Sequence, residues 1–229
     1  MVHLPSALRR AGVLLVAVSA SAFAIGFRGA LELALGALWR AEDVVSAMAR
    51  APVWVRVASP ALGGLVAGLL GLLVARGTSG HGVGDVMEAV VRGKIRLSMA
   101  ATAWKCLASW VAILFGNSIG REGPLIQFGG AAGKLVGERL GLPSRRTRLL
   151  IAAGTAAGFA AAYNTPFAAV LFVLEVVTGV VVLDAVIPVL IATVIATAGT
   201  RAVVGAGPIY GQREFSLIAP EELLAFAGL

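Results

Sequence analysis

Five consecutive residues, Gly120, Arg121, Glu122, Gly123 and Pro124, bring charge and backbone freedom together in an otherwise apolar region. The run ASWVAILF lies just upstream, and PLIQFGGAAGKLVG runs on from Pro124. Proline suits the start of a helix, where its missing N–H would have no intrahelical partner. Such a start presents unpaired N–H groups and about half a positive charge, which makes it an anion site. Gly123 lets a ligand approach the backbone closely. Glu122 is itself an anion, so its carboxylate can fill the place of a bound anion until protonation or an outward swing vacates it. The alternative is an ion pair between Glu122 and Arg121 at a membrane surface.

A second stretch of the same form is SGHGVGDV, where Gly80, His81, Gly82 and Val83 precede a short helical segment. An anion held only by helix ends needs no full positive charge beside it. That favours passage over capture, because the ion must also leave.

These stretches have to be positioned by a membrane-embedded scaffold. The 229 residues are 59% hydrophobic and 14% charged, with a mean hydropathy of +0.91. Soluble domains carry about 25% charged residues, and a spanning helix needs roughly 20 mostly apolar ones. The net charge of +7 does not indicate nucleic acid. The basic residues flank apolar segments singly or in small groups, as helix-end residues that set orientation do. Cys106 is the only cysteine, and His3 and His81 are the only histidines. An intrachain disulfide and a Cys-rich metal site are excluded, and no cofactor is expected. The N-terminal segment has a basic start and a SASAFA run resembling a cleavage site. Its apolar character continues to Trp39, so it reads as a retained helix rather than a signal peptide.

The pattern predicts a helix over residues 11–39, with Arg28 and Glu32 at i,i+4 spacing, either placed near the interface or paired locally. A polar connector follows over 40–56, then a glycine-rich helix over 60–75 suited to close helix contact. Residues 86–91 form a segment too short to span. Helices follow over 99–115, carrying Lys105, and over 124–140. GLPSRRTR reads as a basic turn, and 149–163 as a helix of small residues. Asn164 and Thr165 break it, Pro166 starts the short segment bearing Glu175, and 183–204 is long enough to span. A further helix opens after Pro220. Several of these helices are shorter than a bilayer and are broken at glycines. Broken helices at membrane depth are tolerated where backbone lines a cavity or is buried in protein, the arrangement by which transporters point helix ends at ions. The expected class is therefore all-α, a polytopic membrane protein with broken, tilted helices.

An enzyme reading rests on GTSG (residues 77–80), the Gly-x-Ser-Gly form of rhomboid intramembrane proteases. That chemistry needs a histidine on another helix as general base. His81 is two residues from Ser79 in the same loop, and His3 is at the terminus, so this reading is set aside. A purely structural membrane subunit is the other alternative; absence of anion flux even with a supplied second half would favour it.

GREGP resembles a signature of the CLC family of chloride channels and chloride/proton antiporters. GHGVGDV resembles that family's Gly-Ser-Gly-Ile-Pro segment. Lys105 stands where the family often keeps a lysine, and AAGTAAGFAAAYNTPFAAVLFVLEVV extends the likeness in the same order. The resemblance implies that Glu122 is the gating glutamate. It also implies that Gly120, Arg121, Gly123 and Pro124 frame the anion, and that Gly80, His81, Gly82 and Val83 form an inner helix-end site. Chloride is then the transported ion, the bilayer the principal partner, and a bacterial-type inner membrane the expected location, with a homodimer in the full-length protein.

Three departures qualify this. His81 replaces a serine hydroxyl, and its imidazole N–H could donate to the anion or merely cap the loop. Gly84 replaces a proline and loosens the turn. Val176 stands where antiporter members carry an internal, proton-carrying glutamate, so weak or absent proton coupling is expected. Glu175 matches the preceding family acid, as part of a water path or as a surface charge. The resemblance covers the first of two inverted repeats. Residues 1–229 therefore read as one membrane domain truncated before the second repeat, unable to complete an anion path alone. The small-residue run 152–162 is expected to face that missing partner.

Overall fold

The computed structural model describes residues 6–75, 82–92, 97–179 and 183–206. The described residues are helical or in turns, with α1 over Ser6–Trp39, α2 over Val44–Arg50, α3 over Val53–Ala75 and α4 over Val83–Val91. They continue with α5 over Met99–Leu114, α6 over Glu122–Arg139, α7 over Ser144–Tyr163, α8 over Pro166–Phe172 and α9 over Leu183–Val204. A π-helical turn, Val173–Val177, prolongs α8. Among the described residues three stretches, Arg10–Arg50, Val53–Leu72 and Asp184–Val204, are long and apolar enough to cross a membrane.

Contacts sort the helix ends into two groups. At one end the Trp39 indole N–H donates to the Leu114 carbonyl at 3.0 Å, and the Ser59 hydroxyl donates to the Phe115 carbonyl at 2.7 Å. There too Arg201 Nη2 donates to the Asn164 carbonyl at 3.1 Å. This end collects the C-terminal ends of α1, α5, α7 and α9 and the starts of α6 and α8. At the other end Gly12 lies against Leu140 and Leu150, and Arg145 pairs with Asp184. That end holds the starts of α1, α7 and α9 and the end of α6.

The centre is α7. Ala153, Ala156, Ala157 and Ala160 are fully buried, and α6, α9, α1 and α4 pack around them. The small-residue run therefore does not face an absent partner; it is the axis of the described bundle. The reason lies in the seam with α6. A Cβ added at Gly129 would strike the Gly154 carbonyl, and one added at Gly133 would strike the Leu150 carbonyl. Backbones approach this closely only where side chains are missing, the small-xxx-small mode of helix association in lipid.

Other expectations shift. Residues 40–56 are not a simple connector. Asp43 caps α2 by accepting from the Ser46 N–H at 2.8 Å, and α3 starts at Val53 with Pro60 inside it. The glycines of α3 do not make an extended close contact. Gly63 meets Phe115 and Asn117, whereas Gly68 and Gly71 have open space before them. Much of α3 is exposed, with Leu62, Leu65, Leu69 and Leu72 facing outward. SRRTR is the first turn of α7 rather than a loop. The stretch after Pro220 lies outside the described residues.

Candidate anion site

The helix α6 begins two residues earlier than the position of Pro124 suggests. Arg121 is its N-cap residue, with φ −75° and ψ −12°, and makes no side-chain capping bond. Arg121, Glu122 and Gly123 therefore carry N–H groups that the helix leaves unpaired, and Pro124 in the same turn has none to offer. The Glu122 carboxylate folds back over Gly120: a Cβ added at Gly120 would collide with both its oxygens. Oε2 of Glu122 is shielded from solvent and accepts no hydrogen bond among the described residues. Deeper in the same turn, the buried Cys106 thiol donates to the Pro124 carbonyl at 3.4 Å, tying α5 to the helix start.

Arg121 does not neutralise Glu122; among the described residues no ion pair joins them. Arg121 instead lines a cleft of about 90 Å³ together with Arg28, Asn164 and Thr200. Arg28 is held by Glu32 at 2.7 Å, so of the two sequence readings the local i,i+4 pair is the one formed. Arg201 Nε donates to Asn164 Oδ1 at 3.3 Å, beside this cleft. The surface-pair alternative for Glu122 thus has no counterpart in the geometry, and its neighbour belongs to a separate arginine cluster. Sequence reading missed that cluster, because Arg28, Asn164 and Arg201 are far apart along the chain.

Of the second helix start, Gly82 and Val83 lie within the described residues; Gly80, His81 and Ser79 lie outside them. Gly82 has φ +65°, a left-handed conformation that glycine adopts without cost, and forms the N-cap of α4. Asp85 in the first turn accepts from Lys105 Nζ of α5 at 2.6 Å. Their side chains are 16% and 24% exposed, so Lys105 is a half-buried charge with a fixed partner. Spacing gave no hint of Asp85, which stands twenty residues from Lys105. Val86 of α4 packs against Gly130, eight residues into α6. At 1.5 Å per residue that contact lies roughly 12 Å along α6 from Glu122.

Glu175 and Val176 lie on the π-turn, and both are exposed, Val176 at 44%. Among the described residues Glu175 has no ion-pair partner. π-turns often mark functional positions, and this one turns both side chains outward.

The sequence model of the voltage gated chloride channel family matches residues 63–229. A ClcB-like protein of Ralstonia nicotianae is 35% identical over 210 residues, covering 90% of this chain and 49% of that protein. The voltage-gated ClC-type chloride channel ClcB of Escherichia coli is 39% identical over 182 residues, covering 77% of this chain and 43% of that one. The solved structure of a slow cyanobacterial Cl⁻/H⁺ antiporter superposes with a TM-score of 0.72 at 27% identity, over 96% of this chain and 52% of the antiporter. The chain spans about half the length of the curated relatives it matches.

Proposed function

The chain belongs to the voltage-gated chloride channel family, and from that premise we propose that it supplies the first repeat of a membrane protein that passes chloride, with Glu122 as its gate. The observation that carries this reading is the Glu122 carboxylate folded over Gly120 at the start of α6, shielded and without a cation. A carboxylate there competes with a permeant anion for the same unpaired N–H groups. Gly120, Arg121, Gly123 and Pro124 shape that position, and Gly80, His81, Gly82 and Val83 supply a second one at the start of α4. The path is completed by a second repeat packed on this one, the whole protein pairs as a homodimer, and it resides in a bacterial-type inner membrane. Chloride is its cargo, and the reading calls for no cofactor.

Proton coupling is weak or absent in this reading, since Val176 cannot carry a proton. The antiporter alternative has one observation in its favour, the Cl⁻/H⁺ antiporter among its structural neighbours. Liposome flux distinguishes them in a protein that joins this chain to a matching second repeat. Glu122→Gln, which imitates protonation, is expected to raise chloride efflux. Identical flux in variant and parent at every pH overturns the gate. A chloride gradient is expected to move few protons, as read by an internal pH dye. Stoichiometric uphill proton movement would establish the antiporter alternative and direct attention to Glu175 or His81 as the carrier.

A further inference from the structure

At the end of the bundle remote from Glu122, the first turns of α7 carry Arg145, Arg146 and Arg148. Arg145 is engaged: its Nη2 lies 2.7 Å from Asp184 Oδ2 at the start of α9, and both side chains are exposed. Arg146 is not. Its Nη1 is shielded from solvent and finds no acceptor among the described residues. Leaving a charged donor desolvated and unpaired is costly, and arginine does not escape the cost by losing its proton.

Arg146 lines a cleft of about 340 Å³, whose lining includes Val13 of α1, Leu149 of α7 and Pro188 of α9, together with Arg145 and Asp184. The volume is far more than one halide or water needs, a water's share of liquid being about 30 Å³. Two guanidinium groups against one carboxylate leave the cleft net positive, and the carboxylate is already taken by Arg145. The remaining planar fork matches an oxyanion with two or more acceptors, carboxylate or phosphate. The apolar walls, at the end of spanning helices, suit an amphiphile: basic pockets between membrane helices hold phospholipid head groups.

We propose that this cleft between α1, α7 and α9 is a phosphate-group site, in which Arg146 holds the phosphate of an anionic phospholipid or of a soluble phosphate. The site is distinct from the start of α6 and does not depend on how chloride passes.

The test uses the full chain purified in a neutral detergent, with melting followed by tryptophan fluorescence. Short-chain phosphatidylglycerol, inorganic phosphate and sodium chloride are titrated separately at matched ionic strength. Phosphatidylglycerol or phosphate is expected to raise the melting temperature, and chloride is not. Arg146→Gln is expected to weaken the effective ligand about tenfold, because a charge-assisted bidentate contact is lost. Arg146→Lys keeps part of the affinity. Asp184→Asn tightens binding several-fold by removing the competing carboxylate, and it serves as the readout should Arg146→Gln fail to fold. A response to phosphatidylglycerol alone assigns the site to a lipid head group; an equal response to inorganic phosphate assigns it to a soluble phosphate. No ligand-induced shift overturns the proposal. So does a shift that Arg146→Gln leaves intact while lowering only the ligand-free melting temperature, since that is what a purely structural arginine would give.

Discussion

The starts of α4 and α6 each carry an acid in the first turn, and they treat it in opposite ways. On α4, Asp85 is clamped by Lys105 of α5 at 2.6 Å. On α6, Glu122 has neither a cation nor a donor for its shielded Oε2 among the described residues. Either helix start favours a negative charge by roughly 0.3–1 kcal/mol, so the helix end alone does not separate them. The partner does. An acid fixed by an ammonium group is part of the scaffold. An acid held only by a helix end can leave at modest cost, and a gate needs that property. The difference also explains why one polar pair can be buried in an apolar bundle without becoming a moving part.

The largest expected effect comes from removing the support common to both starts. The seam of Gly129 and Gly133 against α7 carries α6, and α4 packs on the same two helices. Gly129→Val drives a branched side chain into the Gly154 carbonyl, where neither backbone can yield without separating the helices. Overpacking of this kind is expected to cost about 3 kcal/mol or more, or to prevent folding. Denaturation in a detergent series and gel filtration read it. Parent-like stability in Gly129→Val would show that the helices do not meet backbone to backbone.

The next effect concerns the clamped start alone. Lys105→Met leaves Asp85 half-buried without its cation. The loss is expected to be about 2 kcal/mol, less than for a fully buried pair because both side chains keep some exposure. Lys105→Met combined with Asp85→Asn is expected to recover most of it, since no charge is then left unpaired. A double variant as unstable as the single one would mean that Lys105 supports the fold through other contacts than Asp85.

Much of this architecture is legible from residue order because its punctuation is local. Pro166 opens α8 and residues 183–204 form α9 as read from the sequence, and Asn164 takes the left-handed φ of +61° that ends α7. The Arg28–Glu32 pair is also local. What depends on packing is not legible. A run of alanines and glycines such as 152–162 looks the same whether it awaits a partner or forms the axis; only the carbonyls of α6 lying against it decide. The same holds for Lys105, whose partner is on another helix, and for Arg121, which the bend before α6 turns into a cleft with Arg28 rather than toward Glu122. At the candidate site, residue type and local helix position were readable. The partners of those residues were not.

The smallest expected effect sharpens the comparison most, because its sign separates the two starts. Glu122→Gln replaces a carboxylate whose Oε2 is shielded and unpaired, which exchanges the cost of an unpaired charge for the smaller cost, about 1–3 kcal/mol, of an unpaired neutral amide. It also removes the favourable interaction with the helix start, about 0.3–1 kcal/mol. The relief of the charge outweighs that loss, so Glu122→Gln is expected to be neutral to stabilising by about 1 kcal/mol. Lys105→Met acts in the opposite direction, because it creates an unpaired charge and Glu122→Gln abolishes one. Arg121→Gln provides the control. Arg121 makes no ion pair among the described residues, so removing its charge is expected to leave the effect of Glu122→Gln unchanged in a double-mutant cycle, within the roughly 0.5 kcal/mol by which independent sites add. A Glu122→Gln chain destabilised as much as Lys105→Met, or strong coupling to Arg121, would mean that Glu122 is clamped as Asp85 is, and a clamped carboxylate is a poor gate.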